Sequence, residues 1–164
     1  MTRTMSAVLI TGMSGTGKTT ALAELARRGH RVVDTDEGDW SEDVPTADGA
    51  VERLWREDRI AALLGDRKPG TLFISGCVAN QGVFYPQFAA VVLLSVPEAV
   101  LLDRLGTRTT NDFGKTADER LRILRDLRDV EPLLRRGAAA EIDTRRPVRE
   151  VADLLESIAG VRGA

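Results

Sequence analysis

The sequence predicts an α/β fold: three layers, α/β/α, with a five-stranded parallel sheet in the middle. Two observations lead there. Apolar runs of strand length alternate with longer segments at helical spacing, and Gly or Pro separates most of them. Such alternation implies βαβ crossovers and a sheet covered on both faces. The second observation is size, because 164 residues suit one core at ~100–200 residues per domain. We therefore expect one domain over 1–164, with a mobile segment near 37–64 and a short lid near 106–116.

The elements follow in order. Ala7-Val8-Leu9-Ile10 is a short continuous apolar run ending at Thr11-Gly12, as in a strand buried on both faces. Lys18 to Arg28 has Leu22, Leu25 and Ala26 on one helical face, and Gly29 stops it. Arg31 to Asp36 offers a second strand. Residues 37–48 hold five acids, Gly38, Pro45 and Trp40, and read as a loop. Helical spacing from Val51 to Leu64 makes Val51, Leu54, Trp55, Ile60 and Leu64 candidate core positions. Leu72 to Ser75 is a third strand and Ala89 to Val96 a fourth. Pro97 opens a helix at a position where proline is tolerated. Thr116 to about Arg136 reads as one long Arg-rich helix, Ala140 to Asp143 as a fifth strand, and Pro147 to Ile158 as a closing helix.

Composition excludes several classes. A formal charge of −2, from 23 Lys plus Arg against 25 Asp plus Glu, exerts no general pull on nucleic acid or anionic membrane. The basic residues are 20 Arg and only 3 Lys: Lys18, Lys68 and Lys115. One cysteine, Cys77, forbids an internal disulfide, and one histidine, His30, leaves little for a Cys/His metal centre. The apolar stretch from Ala7 to Ile10 is too short for a signal region or a membrane span. We expect a cytoplasmic protein with no nucleic-acid, membrane or obligate protein partner.

Gly12-Met13-Ser14-Gly15-Thr16-Gly17-Lys18-Thr19 satisfies G-x-x-x-x-G-K-[ST] between a predicted strand and a predicted helix. Glycines let the backbone curl so that successive N–H groups face inward, and the helix N-terminus adds partial positive charge beneath the phosphates. Lys18 reaches the β- and γ-phosphates, and the Thr19 hydroxyl, with Thr20 beside it, stands where Mg²⁺ binds. Residues 12–20 are thus a nucleotide site, with ATP and Mg²⁺ as its ligands.

Val33-Asp34-Thr35-Asp36 after this helix resembles the shikimate kinase pattern among the nucleoside-monophosphate-kinase-like P-loop kinases. The resemblance implies that Asp34 helps hold Mg²⁺ and that Asp36 contacts the acceptor hydroxyl and takes its proton. Leu101-Leu102-Asp103-Arg104-Leu105-Gly106-Thr107-Arg108 is similar to the helix leading into the lid of these kinases. It implies that Arg104 stacks on adenine and that Arg108, one turn later, reaches the transferring phosphoryl group. Asn111-Asp112-Phe113-Gly114-Lys115 matches a short lid. Ile142-Asp143-Thr144-Arg145-Arg146-Pro147 resembles the loop around adenine, which brings Arg145 and Pro147 to the nucleotide.

The chain also departs from that pattern. Where shikimate kinases carry a glycine run, it has Ser75-Gly76-Cys77-Val78-Ala79-Asn80-Gln81-Gly82. Gly76 can serve similarly, and the amides of Asn80 and Gln81 suggest neutral hydrogen bonding to a substrate. Cys77 reads as a packing residue. The family's substrate-carboxylate arginine precedes a proline by two residues, and here that stretch is Val130-Glu131-Pro132, which argues against shikimate. Arg53 or Arg56, placed on the helix over 51–64, remains to bind an anion.

These residues predict an ATP- and Mg²⁺-dependent phosphotransferase acting on a small-molecule hydroxyl. Lys18, Asp36 and Arg108 are its catalytic candidates, and Asp36, Arg53, Gly76 and Asn80 line its acceptor site. A nucleoside monophosphate kinase is the alternative, with arginines around a phosphate acceptor. A regulatory module that binds nucleotide without turnover is the third reading. The absence of N-K-x-D disfavours a GTPase.

Overall fold

A computed structural model describes residues 6–66, 68–107 and 117–160. Among these, seven strands form: β1 (Ser6–Thr11), β2 (Arg31–Asp34), β3 (Ser41–Pro45), β4 (Val51–Trp55), β5 (Thr71–Ser75), β6 (Ala90–Ser95) and β7 (Ala140–Asp143). The helices are α1 (Lys18–Arg27), α2 (Glu57–Gly65), α3 (Glu98–Thr107), α4 (Ala117–Asp129), α5 (Glu131–Gly137) and α6 (Val148–Ile158), with a 3-10 segment at Gln81–Gln87. Five strands make one parallel sheet in the order β2-β5-β1-β6-β7, as expected, while β3 and β4 form a separate antiparallel pair.

Strand side chains alternate between faces, and β1 shows why its run is wholly apolar. Val8 and Ile10 enter the core beneath α1 and α6, with Leu22, Leu25 and Leu155. Ala7 and Leu9 enter the core beneath α2 and the 3-10 segment, with Ile60, Phe84 and Phe88. A third cluster joins Met13, Leu93, Leu101, Leu105 and Ile123 under α3 and α4. The five strands of the main sheet run the same way, so their carboxyl ends share one edge. There Ser75 stands in register with both Ile10 and Asp34, which sets Asp34 about two strand spacings, roughly 10 Å, from the end of β1.

Three expected elements differ: Ser41–Pro45, expected within a loop over 37–48, is a strand, and two expected helices change. Residues 51–64 are not one helix: Val51–Trp55 pairs with Ser41–Pro45, and only Glu57–Gly65 is helical. The turn is Thr46 to Ala50, where Gly49 has φ +87° and the Asp48 carboxylate accepts from the Ala50 amide at 3.2 Å. Asp-Gly was the available hairpin signal. Apolar periodicity had nothing to report, because the hairpin buries only Ser41 and Trp55 at its base and leaves Val51 67% exposed. The long Arg-rich helix breaks at Val130 into α4 and α5. Pro132 has no N–H, and its ring clashes with a continuing helical turn, so a new helix starts with proline in its first turn.

The base of the hairpin is tied to the sheet by one buried residue. Thr35 donates its hydroxyl to the Ser75 carbonyl at 2.8 Å and accepts from Trp55 Nε1 at 2.9 Å, while Ser41 Oγ donates to the Thr35 carbonyl at 2.9 Å. Gly76 lies beneath them. A Cβ there would run into Thr35 Oγ1 and stand 3.2 Å from the Trp55 ring. On the opposite face Glu156 of α6 bridges Arg28 at 2.5 Å and His30 at 2.6 Å, and these partners hold its carboxyl below the usual range.

Gly76→Ala is expected to lower the unfolding free energy by about 1–3 kcal/mol through overpacking, measured by urea denaturation. Glu156→Gln should cost about 1–2 kcal/mol at neutral pH. A depressed folded-state value means that this contribution is complete above the ordinary Glu value of ~4.3 and fades as pH falls through the folded one. The gap between parent and variant should therefore narrow in denaturation curves taken at ~pH 3.

Candidate functional site: a phosphate-binding cleft

At the carboxyl edge of the sheet the chain leaves β1 and curls into the glycine-rich loop. Gly12, Gly15 and Gly17 have φ of +152°, +86° and +99°. At Gly12 a side chain is doubly excluded, since its Cβ would lie 2.5 Å from the Leu94 carbonyl and 2.8 Å from Thr16 Oγ1. Thr16 is buried and donates to the Met13 carbonyl at 2.8 Å, which closes the loop. Helix α1 then begins at Lys18 with no side-chain cap and no acid in its first turn, so its partial positive charge faces outward. Lys18 Nζ donates to the carbonyls of Gly12 and Met13 across the loop.

A cleft of about 690 Å³ opens over this loop, lined by Ser14, Gly15, Gly17, Lys18, Thr19 and Thr20, by Asp34, Asp36 and Glu37, and by Arg104, Thr144, Arg146, Val148 and Val151. The structure thus brings Lys18, Thr19, Thr20, Asp34, Asp36 and Arg104 together from residues far apart in the chain. Gly12, Met13 and Thr16 lie buried beneath as the cradle. Thr35, in the turn after β2, is buried between Asp34 and Asp36, and both acids line the cleft. The Asp34 carboxylate accepts from the Asp36 amide at 3.0 Å and from the Thr19 hydroxyl at 3.5 Å. This hydroxyl and carboxylate are the hard oxygen donors that Mg²⁺ selects, and the cradle leaves room for phosphates rather than side chains. The donor set therefore fits a Mg²⁺–nucleotide, whose metal Thr19 and Asp34 would hold.

Arg104 is positioned by a contact the sequence did not disclose. Its guanidinium donates to Thr144 Oγ1 at 3.0 Å, the Thr144 carbonyl at 2.8 Å and the Gly15 carbonyl at 3.4 Å. Thr144 in turn donates to the Thr16 carbonyl at 2.6 Å. One buried hydroxyl thereby joins the phosphate loop, α3 and the segment after β7.

Several expected site residues are engaged elsewhere. Arg145 forks onto Asp143, with contacts of 2.7 to 3.1 Å that hold the Asp143 carboxyl below its usual range, and Arg146 lines the cleft in its place. Pro147 caps α6 beside the cleft residue Val148. Arg53 lies on β4, not on a helix, and pairs with Asp43 at 3.1 Å. Asn80 accepts from the Trp55 amide at 2.8 Å and donates to the Trp55 carbonyl at 3.0 Å and to Glu57 at 3.3 Å, so its amide secures the hairpin. Gln81 is buried and bonded to Val78, Thr11 and Tyr85. Gly76 is covered by Thr35 and Trp55. Burial pushes the Cys77 thiol up, against the smaller opposing effects of Lys18 and a hydrogen bond with Thr11, as suits a packing residue. Arg108, Lys115 and the lid between them lie outside the described residues.

A loop of this conformation, opening onto acids from the second strand, defines a P-loop nucleotide-binding domain. The chain belongs to the AAA domain family, whose model matches residues 8–125. Its fold is that of the shikimate kinases. The shikimate kinase of Acinetobacter baumannii in complex with shikimate superposes with a TM-score of 0.65 at 22% identity, covering 98% of this chain and 96% of that one. The enzyme from Bacteroides thetaiotaomicron gives 0.63 at 17% identity, covering 93% and 97%. A gluconokinase from Sinorhizobium meliloti gives 0.54 at 20% identity, covering 98% and 93%. No curated protein matches the sequence. No described helix is long and apolar enough to cross a membrane.

Thr144→Val keeps the volume of the bracing side chain and removes its hydroxyl. Losing a charge-assisted bond and a backbone bond should weaken nucleotide binding about tenfold, measured by calorimetric titration, with the fold retained by circular dichroism.

Proposed function

We propose that this protein is an ATP- and Mg²⁺-dependent phosphotransferase that moves the γ-phosphoryl group of ATP to a hydroxyl of a small molecule. The observation that carries the reading is Asp36. It shares one cleft with Lys18 and the Thr19–Asp34 pair, is exposed, and has no cationic partner among the described residues. An unneutralised carboxylate beside the phosphate site repels a second phosphate, yet suits orienting a hydroxyl and accepting its proton. The likeness of fold to shikimate kinases and a gluconokinase supports the same class of reaction.

The residues divide the work as follows. Backbone amides from Gly15 to Thr19 grip the β- and γ-phosphates, and Lys18 swings from the loop carbonyls to their oxygens. Thr19 and Asp34 would hold Mg²⁺, which when bound would supply charge neutralisation on the phosphates. Arg104, rigid against Thr144, presents its planar guanidinium to the base. Arg108 is assigned to the transferring group by its position four residues after Arg104 in the sequence and by the family resemblance. Asp36 holds the acceptor hydroxyl in line and takes its proton as the bond to phosphorus forms. Positioning and electrostatics then account for most of the rate.

The nucleoside monophosphate kinase reading loses support because Arg53 and Arg56 are paired with Asp43 and Glu42. With purified protein, Mg²⁺-ATP and a broad metabolite panel, we expect a phosphorylated hydroxyl product by mass spectrometry. Absence of transfer from protein that binds the nucleotide would defeat the proposal. Asp36→Asn should cut kcat by about 10²–10⁴-fold, while the calorimetric Kd for Mg²⁺-ATP changes less than about threefold, because in this reading Asp36 serves the acceptor and not the nucleotide.

A further inference from the structure

The hairpin that replaces the expected helix is seated on Thr35, between the two cleft acids Asp34 and Asp36. From Asp36 to Arg59 the chain carries nine carboxylates and three guanidiniums, a net charge of −6. Each of the three arginines is already spoken for. Arg53 pairs with Asp43 across β3–β4 at 3.1 Å, Arg56 with Glu42 at 3.4 Å, and Arg59 of α2 with Asp39 at 3.6 Å. An anionic acceptor that captured one of them would release its acid next to itself, exchanging one favourable pair for a new repulsion.

The charges that line the cleft are segregated in the same sense. Among the described cleft residues, the cations Lys18, Arg104 and Arg146 come from the P-loop, α3 and the segment after β7, whereas Asp34, Asp36 and Glu37 cluster at the end of β2. Exposed ion pairs add little stability individually, ~0–1 kcal/mol. Their arrangement nonetheless sets the local potential within the ~8 Å screening length.

Resting on the phosphotransferase reading, we propose that the acceptor is a hydroxyl compound with no anionic group, either uncharged or cationic. Polyols, nucleosides, amino alcohols and amino sugars fall inside this class. Hydroxy acids and phosphate monoesters fall outside it, excluded by unpaired acids rather than by shape.

The test uses the full chain with Mg²⁺-ATP and a panel grouped by charge: polyols and nucleosides, amino alcohols and amino sugars, hydroxy acids, and phosphate monoesters. Transfer confined to the first two groups, or at least tenfold higher kcat/KM there, is the expected result. A hydroxy acid or phosphate ester turned over with the higher kcat/KM overturns this proposal and leaves the phosphotransferase standing. Silence across all four groups from nucleotide-binding protein removes both together. In a second arm, the double substitution Glu42→Gln and Asp43→Asn frees two arginines. The ratio of anionic to uncharged kcat/KM, or of their Kd values where turnover is too slow, should shift about tenfold toward the anion and return toward the parent value at high salt. An unchanged ratio would rule out charge as the basis of selection.

Discussion

The hydroxyl of Thr35 is the point on which the site hangs. It is fully buried, donates to Ser75 at the end of β5 and accepts from the Trp55 indole, so β2, β5 and the hairpin meet at a single oxygen. A buried polar group must be satisfied, and the buried Trp55 indole N–H finds its acceptor in Thr35 when the hairpin is seated and Gly76 offers no side chain in the way. With Thr35 turned inward, Asp34 and Asp36 are turned outward. The same contact that packs Trp55 therefore aims the two carboxylates at the phosphate loop.

A comparable device operates on the other side of the cleft. Thr144 links the Thr16 carbonyl to the Arg104 guanidinium, which fixes a long cationic side chain that would otherwise sample many rotamers. Two buried threonine hydroxyls thus orient the charged groups of the site, one for its acids and one for an arginine. The charges divide accordingly: a near-neutral chain gathers Lys18, Arg104 and Arg146 from three separate segments and Asp34, Asp36 and Glu37 at the end of β2.

Much of this was legible in the sequence. The sheet strands and the phosphate loop could be read because each is dictated by neighbours in the chain: continuous apolar runs for doubly covered strands, and glycines where φ is positive. The hairpin was not legible by periodicity, because only its base is buried. Asp48-Gly49 was the one local sign of it. The break at Val130 had a sign too, in Pro132, which a long run of helix formers outweighed in a reading by spacing. Asn80 and Gln81 looked like substrate amides because an unpaired amide near a site suggests recognition. Their hydrogen bonds to Trp55, Thr11 and Tyr85 show that the fold uses them.

What the sequence determined by itself is the nucleotide half of the protein. A curled loop, its lysine and a helix N-terminus occupy eight consecutive residues, and their geometry follows from local backbone conformation. Tertiary structure alone decided which other groups join them. Arg146 rather than Arg145 faces the cleft because Asp143 captures Arg145, and Thr144 reaches Thr16 across 128 positions of chain. Arg53, Arg56 and Arg59 became partners of acids because a hairpin and a helix end brought them face to face. Charge pairing depends on proximity in space, and residue order does not encode it until the chain is folded.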